Sequence, residues 1–103
     1  MKSLLEIKDH LMEGDYFHSL HSATRVIERN ISFKDISEAD GNAQIIEDYP
    51  DDKYSPSCLL LGFTKKGIPL HIQVTRTIGK KRKIITIYHP DEKFWSDNFK
   101  ERI

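Results

Sequence analysis

The chain has 103 residues, 38% of them hydrophobic and 31% charged, the size of one domain over 1–103 that buries a modest core without staples. Sixteen basic residues balance sixteen acidic ones, which excludes general attraction to nucleic acid and leaves any such binding to a local patch. A single cysteine, Cys58, excludes an intramolecular disulfide, and no apolar run near the start has the length of a signal peptide or membrane span, so a cytoplasmic location is expected.

In chain order, Ser3 predicts the cap of a short helix whose apolar residues Leu4, Ile7, Leu11 and Met12 follow a helical period, with Gly14-Asp15 as its stop. Tyr16 to Leu20 has no clear period. A second helix is predicted from about His21 to Arg29, burying Ala23, Val26 and Ile27, with Asn30 as a left-handed terminator. Ser32 caps a third that stops near Gly41.

After Gly41 the pattern changes to strands separated by turn residues. Ile45–Tyr49 is the first, and Cys58–Thr64, almost wholly apolar, is a central one. There a cysteine reads as a buried strand residue. Lys65-Lys-Gly67 is a hairpin turn. Over Ile68–Thr77, Leu70, Ile72 and Val74 alternate with His71, Gln73 and Thr75. Gly79–Lys83 makes another turn, and in Lys83–His89 the residues Ile85 and Ile87 alternate with Thr86 and Tyr88. Pro90-Asp-Glu then opens a helical segment with Trp95 and Phe99 four apart, a packing pair. The expected architecture is α+β: N-terminal helices packed on one face of a four-stranded antiparallel sheet, and a short C-terminal helix.

Two groups of residues carry candidate chemistry. His21, Arg25 and Arg29 recur at intervals of four, which stacks them on one helical face, with a proton carrier beside two permanent cations. His71, Gln73, Thr86 and Tyr88 are expected together on the solvated face of neighbouring strands, with a buried, hydrogen-bonded His71 as the alternative. The Lys80-Lys81-Arg82-Lys83 turn is an electrostatic footprint for a phosphate backbone and equally a soluble hairpin tip. His18 and His21, without a third ligand, make no persuasive metal site, and no cofactor is expected.

The order His21-x3-Arg25-x3-Arg29-x-Ile31, Gly41, Ile45-Ile-Glu-Asp-Tyr49-Pro, Pro56-Ser-Cys-Leu, Leu61-Gly, Pro69-Leu-His71, Ile85-Thr-Ile-Tyr88-x-Pro90-Asp and Trp95 with Phe99 resembles the bacterial domain of unknown function 4258. The resemblance covers about residues 16–102, with Asn30 where glycine is usual and Ser22 where alanine is frequent. It implies distant kinship to the RelE and barnase group of small ribonuclease toxins. It also implies an antitoxin partner, such as a YgiT-type zinc finger.

Metal-independent RNA cleavage needs a base for the 2′-hydroxyl proton, an acid for the leaving 5′-oxygen, and cations to hold charge on phosphorus. On this reading His71 or His21 carries protons, Arg25 clamps the phosphate, Thr86 orients an oxygen and Tyr88 donates a proton or stacks on a base. Arg29, Lys80, Lys81, Arg82 and Lys83 would hold the RNA. The alternative is a non-catalytic protein- or RNA-binding module on the same scaffold.

Overall fold

In the computed structural model, which describes residues 11, 14, 16–53, 55–76 and 82–103, the elements run β1 (Tyr16–His18), α1 (Leu20–Glu28), α2 (Phe33–Asp40), β2 (Gln44–Tyr49), β3 (Ser57–Phe63), β4 (Pro69–Thr75) and β5 (Arg82–Tyr88). The expected helix from Ser3 lies, apart from the fully buried Leu11, outside the described residues, as do Lys80 and Lys81. No helix among the described residues is long and apolar enough to cross a membrane.

The sheet has five strands in the order β1-β5-β4-β3-β2. β2 to β5 form the expected antiparallel meander, but β1 adds a fifth strand parallel to β5, so the sheet is mixed. Three residues with no period of their own become a strand because β5 offers a free edge for them to pair with.

Strand β3 is buried on both sides because both sheet faces are covered, which its apolar run demands. Cys58 and Leu60 join Leu70, Ile72 and Val74 in the core against Ile36 and Ala39 of α2, with Val26 of α1 packed alongside. Helix α2 begins in a capping box, with Ser32 Oγ accepting from the Asp35 N–H at 3.1 Å and Asp35 Oδ2 accepting from the Ser32 N–H at 2.9 Å. It comes so close to β3 that a Cβ on Gly62 would lie 2.1 Å from the carbonyl oxygen of Ala39. Leu59 and Leu61 share the other face with His71 and Gln73 and are also buried.

That second face departs from expectation. Residues 90–103 form no helix: they fold back as turns closed by a bridge between Trp95 and Arg102. Asn98 Oδ1 accepts from the Ser96 hydroxyl and the Lys100 N–H, and Phe99 takes a φ of 61°, so the Asp97-Asn98 turn defeats the four-residue spacing of Trp95 and Phe99. The segment covers His71, which is fully buried rather than solvated.

A bulge corrects the register of β5. Val74 pairs with Ile84 and Gln73 with Thr86, leaving Ile85 as the extra residue. Ile84 therefore points into the core with Ile87, while the expected core residue Ile85 is only half-buried.

Candidate active site

Ser19 fixes the start of α1 on the bulge of β5. Its N–H donates to the Ile84 carbonyl at 2.9 Å, its hydroxyl donates to the Ile85 carbonyl at 2.7 Å, and its oxygen accepts from the Ser22 N–H at 3.0 Å as the helix cap. At the far end Asn30, with φ 55°, turns the chain so that the Ile31 N–H reaches the Val26 carbonyl at 3.0 Å. Held at both ends, α1 turns His21, Arg25 and Arg29 toward Thr86 and Tyr88 of β5. These five side chains line one groove of about 350 Å³. The residues that sequence reasoning placed on a helix face thus converge with Thr86 and Tyr88 of the expected strand face, but not with Gln73 or His71.

Arg25 is half-buried, and its guanidinium lies 3.6 Å from Glu28, whose side chain is mostly in solvent. Such a pair is loose enough for a phosphate to compete for the cation.

His71 does not open into this groove. Its Nε2–H donates to the Phe99 carbonyl at 2.8 Å, so Nδ1 is the acceptor for the Tyr88 hydroxyl at 3.2 Å. Trp95 stands edge-on to the ring with centroids 4.3 Å apart. Burial pushes the His71 pKa below the usual histidine value, only partly opposed by the hydrogen bond to Phe99 and the field of Glu47. Burial also raises the Tyr88 pKa, which keeps the phenol protonated. His71 therefore orients Tyr88 from behind. The expectation of an exposed proton carrier fails because the C-terminal segment covers the face on which it sits.

An ion-pair cluster holds that segment in place. Arg102 Nε and Nη2 donate to the two carboxylate oxygens of Glu47 at 3.0 and 3.1 Å, Tyr49 donates to the same carboxylate, and the guanidinium lies 4.8 Å from the Trp95 ring centroid. Burial alone would raise the Glu47 pKa, but the hydrogen bonds from Arg102 and Tyr49 hold it below the ordinary carboxylate value. Burial and the bond to Glu47 push Tyr49 up to about 12.

Sequence reasoning missed His89 and Phe94, which line the same groove as Arg25. His89 is exposed, and since a carbonyl can only accept, its Nδ1–H donates to Pro69 O at 3.1 Å. In the neutral ring that leaves Nε2 as the basic nitrogen. The expected strand Lys83–His89 placed His89 on the isoleucine side of its alternation, whereas it immediately follows the last strand residue, Tyr88. Of the basic turn, Arg82 opens β5 and Lys83 is exposed. His18 ends β1 and bonds Ser22 Oγ through Nδ1 at 2.5 Å, so it does not share a helix face with His21. Among the described residues no group of three or more His, Cys, Asp or Glu stands ready to hold a metal ion.

No curated protein and no solved structure matches the chain. The model of the family described as "Domain of unknown function (DUF4258)" matches residues 18–89, well over half of the chain and all of the strand and helix residues that line the groove, and the protein belongs to that family.

Proposed function

We propose that the groove between α1 and β5 binds an RNA phosphodiester and cleaves it by attack of the neighbouring 2′-hydroxyl. The observation that supports this most is the convergence of His21, Arg25 and Arg29 with Thr86, Tyr88 and His89 on one groove. Arg25 and Arg29 hold the non-bridging oxygens and the charge that grows on them as phosphorus becomes five-coordinate. One imidazole, assigned to His21, takes the 2′-hydroxyl proton, and O2′ bonds to phosphorus. The P–O5′ bond breaks, and His89, in its imidazolium form, gives its Nε2 proton to the leaving 5′-oxygen and ends neutral as His21 ends protonated. The Thr86 hydroxyl hydrogen-bonds the phosphate, while the Tyr88 hydroxyl, whose proton goes to His71 Nδ1, accepts a hydrogen bond from a substrate hydroxyl. The products are a 2′,3′-cyclic phosphate and a free 5′-hydroxyl.

The resemblance to the RelE and barnase group points the same way by analogy of fold, and carries with it a toxin role and a protein antitoxin as partner. One observation favours the non-catalytic alternative: His71 is sealed in, which leaves only imidazoles flanking the arginines. The two readings part on a single experiment. Purified protein is incubated with a labelled oligoribonucleotide and with the same oligonucleotide carrying 2′-deoxyriboses. Cleavage of the first alone supports the reaction, binding of both without cleavage supports the binding module, and equal cleavage of both rules out 2′-hydroxyl attack.

A further inference from the structure

Two depressions adjoin the groove, and each shares residues with it. At one end His21 and Thr86 also line a pocket of about 380 Å³ that continues to Thr75 and Lys83. At the other end Arg29 and His89 also line a pocket of about 340 Å³ that continues to Thr64, Lys66 and Ile68. The three form one continuous track, whose middle section runs from His21 to Arg29, about 12 Å at the rise of an α-helix. Lys83, Arg25, Arg29 and Lys66 place permanent cations along its whole length. Among the described residues the acidic ones on it are Asp91 and Asp35, and the Asp35 carboxylate accepts the Ser32 N–H. Phe94 adds an aromatic side chain, 65% exposed, to the wall of the central groove.

A row of cations with an open aromatic face beside it has the chemistry of a single-strand groove, in which backbone phosphates follow the charges and a base stacks on the ring. We propose that the track binds single-stranded RNA across several consecutive phosphates, roughly four at the low end of such sites, with one base stacked on Phe94. A duplex keeps its bases stacked on one another and offers Phe94 no free face. This rests on the groove being the phosphodiester site, and adds Lys66 and Phe94 to it as substrate-holding residues.

The test is a fluorescence-anisotropy titration of the full chain with fluorescein-labelled 2′-O-methyl oligouridylates, which cannot be cleaved, of two, four and eight nucleotides, and with a duplex of matched length. Wild-type affinity is expected to rise at least about tenfold from dinucleotide to tetranucleotide and to favour the single strand. Lys66→Ala and Lys83→Ala should each weaken the octamer several-fold, lower the slope of log affinity against log salt by about 0.7, and leave the dinucleotide unchanged. Neither change threatens the fold, since both lysines are exposed and the contact of Lys83 with Thr75 Oγ1 uses its backbone N–H. Phe94→Ala should weaken the short and long single strands alike by about tenfold. Dinucleotide binding with no gain from length, lysine variants that act equally on all lengths, or preference for the duplex would overturn the track while leaving the groove reading intact. Failure of every oligonucleotide to bind would overturn both.

Discussion

Replacing Arg25 with alanine separates a catalytic cation from a structural one. In the folded protein Arg25 is half-buried, and among the described residues its ion pair is with Glu28, 3.6 Å away and itself largely in solvent. A pair three residues apart on a helix contributes about 0.2–0.5 kcal/mol, and alanine, the better helix former, returns a few tenths of that. The melting temperature should therefore move by no more than about 2 °C. In the proposed reaction the same guanidinium faces charge that appears only as phosphorus becomes five-coordinate. Losing one such positioned donor costs about 2.7–4 kcal/mol, or roughly a hundredfold to a thousandfold in rate. The assay is single-turnover cleavage of a short RNA with protein saturating, so that weakened binding does not enter the rate, alongside thermal unfolding of the same preparations. A rate within threefold of wild type would refute the clamp. So would a loss of rate that merely follows a loss of stability.

Further outcomes follow from burial and register. Burial depresses the pKa of His71 and His18 in the folded state, so as pH falls from about 6.5 the unfolded chain takes up protons that the folded chain refuses. Stability should thus be full above pH 7 and decline between pH 7 and 5, with a shallower decline in His71→Gln; thermal unfolding across that range that rises toward acid would contradict the buried neutral ring. Gly62→Ala drives a methyl group into the Ala39 carbonyl and should destabilise by at least about 2 kcal/mol, read as a lower denaturation midpoint; a neutral substitution would mean that α2 does not press on β3. Ile84→Ala should cost about 2–5 kcal/mol and Ile85→Ala less than half as much, and the reverse order would remove the β5 bulge.

The sequence exposed those parts of the molecule whose signal is local. The Ser32 cap, the left-handed Asn30 and the alternation of Leu70, Ile72 and Val74 each depend on neighbours within a few positions, and each is where periodicity predicts it. Strand β1 was not legible, because Tyr16–His18 is extended only through pairing with residues 82–84. In the run Ile84-Ile85-Thr86-Ile87 every register puts isoleucine inside, so apolar pattern alone does not reveal the bulge. The C-terminal segment had the wider effect. Trp95 and Phe99 have helical spacing, yet they fold over the sheet, bury His71 and bring Phe94 to the groove. The helix side of the groove, His21, Arg25 and Arg29, was legible from spacing alone, while His89 and Phe94 join its lining only through the tertiary fold.

The central claim, that the groove between α1 and β5 performs phosphodiester cleavage by the 2′-hydroxyl, is tested most directly by the chemical ends of the product. Wild-type protein is incubated with a defined oligoribonucleotide and the fragments are weighed by mass spectrometry, with Arg25→Ala as the control for contaminating nuclease. The expected result is a 5′ fragment ending in a 2′,3′-cyclic phosphate and a 3′ fragment beginning with a free 5′-hydroxyl, both much reduced in the variant. A 5′-phosphate on the downstream fragment, or RNA left intact by a folded wild-type protein, would contradict it.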